Sequence, residues 1–230
     1  MLNCFFTYFG GKWRLSKYYS PPKFSVVVEP FAGSAGYSLR YYNSKVRLYD
    51  LNPFVTETWD YLIKVKSSEL LRLPLKVEHV DDVKAPDGAK WLIGFWLGRG
   101  GGSPSATPCS WMRSGKYDSA FWGEHIRARL AHQVNYIRHW RVFHKSYEFA
   151  SNRKATWFVD PPYEKEGAFY KVKFNDYKGL SRWCHDRKGQ LIVCEQLGAR
   201  WMPFKVLKEI RGMNKRSVEV VYETTTQRTG

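Results

Sequence analysis

Hydrophobic and polar positions along the chain fall into two textures. Toward both ends, short β-branched or aromatic runs are punctuated by acids, glycines and prolines. Val26-Val27-Val28-Glu29 predicts a strand, and Val46-Arg47-Leu48-Tyr49, ending at Asp50, predicts a second. Between them lie a glycine-bearing turn, Pro30 to Gly36, and a predicted short helix, Tyr37 to Tyr42. Asn52-Pro53 opens a helix predicted from about Phe54 to Lys66. Arg141-Val142-Phe143, Thr156-Trp157-Phe158-Val159 and Gln190 to Cys194 read as further strands, the last two as buried ones. Val218 to Tyr222 alternates and is expected to pair with Lys205-Val206-Leu207 as a terminal hairpin. Strand, glycine turn, helix, strand, acid is half of a doubly wound sheet, so the expected fold class is α/β.

The stretch from Ser67 to Arg141 has a different texture. Leu97 to Pro104 is glycine-rich and reads as a loop, and helical spacing returns between Phe121 and Trp140. The expected organisation is one sheet domain, residues 1–66 and 142–230, interrupted by a basic, mainly helical and loop insertion, residues 67–141.

Charge changes the picture most. The 230 residues carry 37 Lys and Arg against 21 Asp and Glu, a formal net charge of +16. From Lys90 to Lys154 there are eleven Lys or Arg and three acids. Nucleic acid is the leading partner for such a balance, ahead of ribosome association or an anionic membrane surface. Aromatics reach 17% of the chain, which suits stacking on bases, although aromatic side chains more often fill cores. Cys4, Cys109, Cys184 and Cys194 show neither zinc spacing nor paired spacing and read as free thiols of a reducing compartment. No signal-peptide pattern follows Met1, and no apolar run approaches the roughly 18 residues of a membrane span. A soluble cytoplasmic protein is expected.

Candidate chemistry gathers at predicted strand ends. Asp160-Pro161-Pro162-Tyr163 follows the apolar run Trp157-Phe158-Val159. Proline cannot continue a ladder, so Asp160 and Tyr163 stand at the carboxyl end of that strand, where open α/β sheets bind ligands. An acceptor and a π-surface on rigid backbone can hold a planar ring bearing an amino group. Gly33 and Gly36 permit close approach to the first strand-to-helix turn, and Asp50 can accept from ribose hydroxyls. In Tyr8-Phe9-Gly10-Gly11-Lys12-Trp13, two glycines place Lys12 on a turn able to reach the same edge. An ordinary turn, a capping acid and a basic N-terminus are the structural alternatives for each segment taken alone.

In combination these segments resemble the Dam-type DNA adenine-N6 methyltransferases of bacteria and their phages. Gly10-Gly11-Lys12, Glu29-Pro30-Phe31-Ala32-Gly33, Tyr49-Asp50-Leu51-Asn52-Pro53 and Asp160-Pro161-Pro162-Tyr163 occur in the family's order. The resemblance implies a Rossmann-like, S-adenosylmethionine-dependent methyltransferase fold with a target-recognition insertion. It implies cofactor contacts at Tyr8, Lys12, Glu29, Pro30, Phe31, Gly33, Ser34, Asp50, Tyr147 and Asp160, and catalytic roles for Asp160, Pro161 and Tyr163. The family's loop reads Phe-x-Gly-x-Gly; here Ala35 replaces the second glycine and Gly36 follows it. On this reading Asp160 and the Pro161 carbonyl accept from the adenine amino group as charge develops on it, and the bound cofactor supplies the methyl. Tyr163 stacks on the extruded base, worth roughly 1–3 kcal/mol against a few for base flipping.

Arg99, Arg113, Lys116, Arg127 and Arg129 are the expected DNA contacts in the insertion, with Lys215 and Arg216 near the C-terminus. The partner is double-stranded DNA, with no membrane and no obligate protein partner, and a monomer suffices. His125, His132 and His139 could share a helical face, but the reaction requires no metal. The competing readings are a cytosine-N4 or RNA adenine methyltransferase, and a non-catalytic nucleic-acid-binding relative.

Overall fold

A computed structural model describes residues 1–115, 118–164, 174–211 and 216–226. Seven strands form one sheet: β1 (Val26–Glu29), β2 (Lys45–Asp50), β3 (Arg141–His144), β4 (Ala155–Val159), β5 (Gly189–Gln196), β6 (Lys205–Arg211) and β7 (Arg216–Thr226). Their spatial order is β3-β2-β1-β4-β5-β7-β6. The first five are parallel, and β7 runs antiparallel to both β5 and β6. This mixed, mostly parallel sheet bears out the expected α/β class and is doubly wound. The terminal hairpin expected from the alternating pattern is β6–β7, with a register shift between Val206 and Lys208.

The strand order reverses between β1 and β4, where a crevice opens beyond the strands' carboxyl ends. Strands covered on both faces read as continuous apolar runs, and every residue of β4 is buried. The period-2 alternation divides the core. Val27, Leu48, Phe158, Ile192 and Cys194 face one layer. Val28, Tyr49, Trp157, Val159, Leu191 and Val193 face the other.

The first layer holds α1 (Gly36–Arg40) and α2 (Pro53–Lys64). Asn52 caps α2 by accepting from the Phe54 N–H at 3.1 Å, and Pro53 takes the first helical position, where its missing N–H is harmless. The same layer continues into the segment expected as an insertion: α3 (Ser67–Leu70), α4 (Asp87–Leu97), α5 (Ser110–Arg113) and α6 (Glu124–Gln133). Leu70, Leu92, Trp96, Leu130 and Trp140 join one hydrophobic cluster with Val27 and Leu48. Residues 67–141 therefore share the sheet's core rather than building their own. The second layer is thinner. Its helix, α7 (Tyr177–His185), buries Leu180 and Cys184 and is capped by Asp176, which accepts from the Gly179 N–H at 2.8 Å.

The tryptophans show where the aromatic surplus goes. Trp13, Trp59, Trp96, Trp122, Trp140 and Trp157 each donate the indole N–H to a backbone carbonyl. A buried indole needs such a partner, so these rings pin loops to the core. Trp111, in contrast, is exposed. The four cysteines are free thiols. Among the described residues no helix is long and apolar enough to cross a membrane.

Candidate functional site

Three carboxylates mark the crevice: Glu29 ends β1, Asp50 ends β2 and Asp160 follows β4. They line a cavity of about 270 Å³ together with Tyr8, Lys12, Phe31, Gly33, Ser34, Tyr147 and Phe174. All ten residues expected to contact the cofactor line this cavity, Pro30 included. Pro161 and Tyr163 lie just behind its wall, both buried.

The N-terminal segment closes the cavity because glycines let it approach. A side chain at Gly36 would run into the backbone of Lys12 and Trp13, and one at Gly11 would meet the Ser34 hydroxyl at 2.8 Å. Gly33 has φ +44°, and a Cβ there would meet the Tyr8 ring at 3.1 Å. Trp59 of α2 donates to the Gly33 carbonyl at 2.9 Å, fixing the turn from the other side. Ala35, which stands where the family pattern has glycine, is itself left-handed at φ 49°. The turn keeps the glycine geometry with an alanine in it, at a cost of about 1–2 kcal/mol.

The acids are already engaged. Asp50 accepts from the Gly33 N–H at 3.0 Å and the Asn52 N–H at 2.8 Å. Burial raises its pKa, and those two N–H groups oppose the rise. Glu29 accepts from the Ser38 N–H, the third residue of α1, at 2.7 Å. Burial pushes Glu29 up to about 8. Asp160 is held by Lys12, whose Nζ lies 2.8 Å from Oδ1 and donates to Oδ2 at 3.0 Å. Burial lifts Asp160 to about 6, Lys12 opposes, and Glu219 adds to the rise. Its Oδ1 is buried and, among the described residues, has the Lys12 ion pair but no directed hydrogen bond.

The far end of the cavity is aromatic. Phe31 stacks on Tyr147 at 5.3 Å between ring centroids, and Phe174 meets both edge-on. Glu148 and Asp176 line the same end.

Carboxyl groups outnumber ammonium groups around this cavity. Glu29, Asp50, Glu148, Asp160 and Asp176 line it against Lys12 and Lys145. Dinucleotide sites place a pyrophosphate on the N–H groups at the start of the first helix. Here Glu29 occupies that position on α1, and Asp50 takes the Gly33 N–H. An acidic cavity inside a strongly basic chain fits a cationic, phosphate-free nucleoside. Phe31 and Tyr147 suit its ring, Asp50 its ribose, and Glu29 and Lys12 its ammonium and carboxylate. S-adenosylmethionine has those parts.

Several contributors escape a motif reading. Asn52 donates to the Tyr8 hydroxyl at 3.3 Å and the Gly102 carbonyl at 3.1 Å, tying the loop after α4 to the site. Its place before Pro53 signals a cap, not this link. Tyr177 donates to the Pro162 carbonyl at 2.7 Å, and Glu195 accepts from the Glu164 N–H at 2.9 Å, so the turn after Asp160 is held on two sides. Phe174 and Asp176 belong to no motif and arrive through the fold alone.

The expected DNA contacts divide. Arg99 is exposed, beside the rings of Trp96 and Phe121. Arg113 is exposed and bonds the Pro108 carbonyl at 3.1 Å and Glu78 at 3.4 Å. Arg127 is different: it donates to the Leu73 carbonyl at 2.7 Å and to Glu124 at 2.7 Å. Arg129 is partly buried, reaches the Cys4 carbonyl at 3.3 Å and covers Trp96. Lys116, Lys215 and the Arg216 side chain lie outside the described residues. The histidines do not converge; His139 approaches the Ser44 carbonyl and His144 the Thr56 hydroxyl, each at 3.0 Å.

No protein-family model and no curated protein matches the chain. Among solved structures it is similar to a conserved hypothetical protein from Streptococcus pyogenes, 11% identical, covering 85% of this chain and 84% of that one at a TM-score of 0.37. It is also similar to a Haemophilus influenzae protein assigned as a methylase, 13% identical, covering 86% of this chain and 78% of that one at a TM-score of 0.34.

Proposed function

We propose that this chain is a DNA adenine-N6 methyltransferase that uses S-adenosylmethionine. The observation that carries the reading is the carboxyl-rich cavity at the sheet's switch point, lined at one end by Lys12 and the Asp160 carboxylate. Bound S-adenosylmethionine supplies a methyl group activated on a sulfonium. Asp160 accepts a hydrogen bond from the amino group of the base, and the Pro161 carbonyl is the second acceptor. Both favour charge that develops on nitrogen during transfer, when they are worth most.

Lys12 decides when Asp160 is available. Its ammonium occupies the carboxylate and lies 4.6 Å over the Tyr163 ring. A base can neither bond Asp160 fully nor stack on that ring face until Lys12 turns away. Lys12 would hold the carboxylate of bound cofactor in place of Asp160, so that cofactor binding would free the base pocket. Duplex DNA is drawn by the net charge of +16 and met by exposed Arg99 and Arg113.

Methylation-sensitive sequencing of DNA from an expressing host, with nucleoside analysis, tests the reading. N6-methyladenine at a recurring short site supports it. N4-methylcytosine, label confined to RNA, or unmodified nucleic acid each contradicts it and points to one of the three competing readings.

A further inference from the structure

Behind the cavity lies a buried acid that the proposed chemistry does not use. Glu219, on β7, is almost fully buried. One of its oxygens, Oε1, accepts from the Tyr163 hydroxyl at 2.6 Å and from the Tyr19 hydroxyl at 2.7 Å. An acid buried inside a sheet is expensive unless its oxygens are bonded, and replacing it with an apolar residue would ordinarily be neutral or favourable. Its partners give it a use. Tyr163 belongs to the Asp160-Pro161-Pro162-Tyr163 turn, and Lys12 covers its ring. Tyr19 packs edge-on against Phe158 of β4 at 5.0 Å, two residues before Asp160.

We infer that Glu219 is a positioning residue for the base: it holds Tyr163 by its hydroxyl and so fixes the ring face beside Lys12 and Asp160. The inference rests on the methyl-transfer reading above. A phenylalanine ring in the same place could slide or tilt; a tyrosine bonded at 2.6 Å to an acid two strands away in the sheet cannot. Burial with Asp160 and Glu219 nearby keeps the Tyr163 phenol well above its ordinary value, so it remains a donor across the working pH range. Glu219 does not line the cavity, so cofactor binding should be indifferent to it.

Its charge also reaches Asp160. The groups facing Asp160 are Lys12 from the N-terminal segment, Glu29 from β1, Glu195 from β5 and Glu219 from β7, with Tyr19, Tyr163 and Cys194 packed around them. Neutralising Glu219 removes one influence that raises Asp160, so the acid limb of methyl transfer should move to lower pH.

The test is a double-mutant cycle of Glu219→Gln and Tyr163→Phe, with Tyr19→Phe as comparator. S-adenosylmethionine binding and methyl transfer to duplex DNA are measured for each. Tyr163→Phe, which removes the donor, is expected to lower kcat/KM for DNA about 10- to 100-fold, the range for a lost bond to a charged group, and Glu219→Gln, which keeps an acceptor oxygen but loses the charge, about fivefold, each with cofactor affinity within about twofold of wild type. The double variant should lose little beyond the worse single, Tyr19→Phe should lose less, and Glu219→Gln should shift the acid limb downward. Independent losses at Glu219 and Tyr163, or an unchanged rate in Glu219→Gln, would overturn the inference while leaving an active wild type. If Glu219→Gln does not fold, Tyr163→Phe with full activity overturns it alone. A wild type that binds cofactor and methylates no DNA instead overturns the reading beneath it.

Discussion

The Lys12 ammonium lies 2.8 Å from one oxygen of Asp160, joining residues 148 positions apart across the mouth of the sheet. The pair is nearly enclosed: the Lys12 side chain is 4% exposed and that of Asp160 18%. Removing one partner of such a pair leaves an uncompensated buried charge. Lys12→Met should therefore raise Asp160 further, because Lys12 is the chief influence holding it down. Asp160 puts the expected acid limb of methyl transfer near pH 6 in the wild type, and in the variant it should move upward, with activity at pH 7 at least about 100-fold lower. A pH–rate profile checks this, and a profile with an unmoved limb would show that the pair does not control Asp160.

Glu29 links stability to binding. Its ordinary value is 4.5 and burial holds it at about 8 in the folded chain. A carboxyl raised on folding contributes stability that is present below its unfolded value and lost as pH rises through its folded one. Glu29→Gln removes that loss, so the variant's melting temperature, relative to wild type, should climb between pH 5 and pH 8.5. Binding a cation should favour ionised Glu29, so S-adenosylmethionine should bind the wild type more tightly as pH rises over the same window and release protons near pH 7. The variant should bind about 10- to 100-fold more weakly. Calorimetry in buffers of different ionisation enthalpy reads the proton release, and binding independent of pH would argue against a cation beside Glu29.

The glycine contacts set how tightly the N-terminal segment seals the cavity. Gly36→Ala forces a methyl into the Lys12–Trp13 backbone and should cost about 1–3 kcal/mol, with cofactor affinity falling alongside. Ala35→Gly relieves a left-handed alanine but exchanges a buried methyl for a looser unfolded chain, so its net effect should stay within about 1 kcal/mol. Chemical denaturation separates the two variants.

Much of this site was legible because its parts are contiguous in sequence. Glu29 and the Pro30–Gly36 turn, Asp50 and Asn52, and the Asp160 turn each follow an apolar run, and parallel strands bring those ends together without further information. Glu219 was not legible. In the alternating run Val218-Glu219-Val220 an acid reads as a solvent-facing position, yet Glu219 is buried and accepts from two tyrosines. The residues between 67 and 141 read as a separate basic insertion because their charge dominates the pattern, while the apolar positions that merge them with the sheet are scattered. Tyr163, expected to stack on an extruded base, is buried with Lys12 over its ring, and its hydroxyl has a partner in the core that no sequence motif signals.

The basic side chains should separate by role. Arg99→Gln is expected to weaken DNA binding across sequences and reduce the salt slope by about one, with the melting temperature unchanged. Arg127→Gln removes the donor that satisfies the Leu73 carbonyl and should lower the melting temperature first. Binding titrations at several salt concentrations, beside thermal unfolding, would expose an Arg127 that acts on DNA instead.

The most direct measurement is methyl transfer by the purified chain. Wild type and Asp160→Asn are incubated with methyl-labelled S-adenosylmethionine and duplex DNA, and the DNA is digested to nucleosides. The wild type should yield labelled N6-methyladenine, and Asp160→Asn should lose at least about 100-fold of the rate while binding cofactor within a few-fold of wild type. Label absent from adenine in every DNA offered, or an Asp160→Asn enzyme as fast as wild type, would contradict the account.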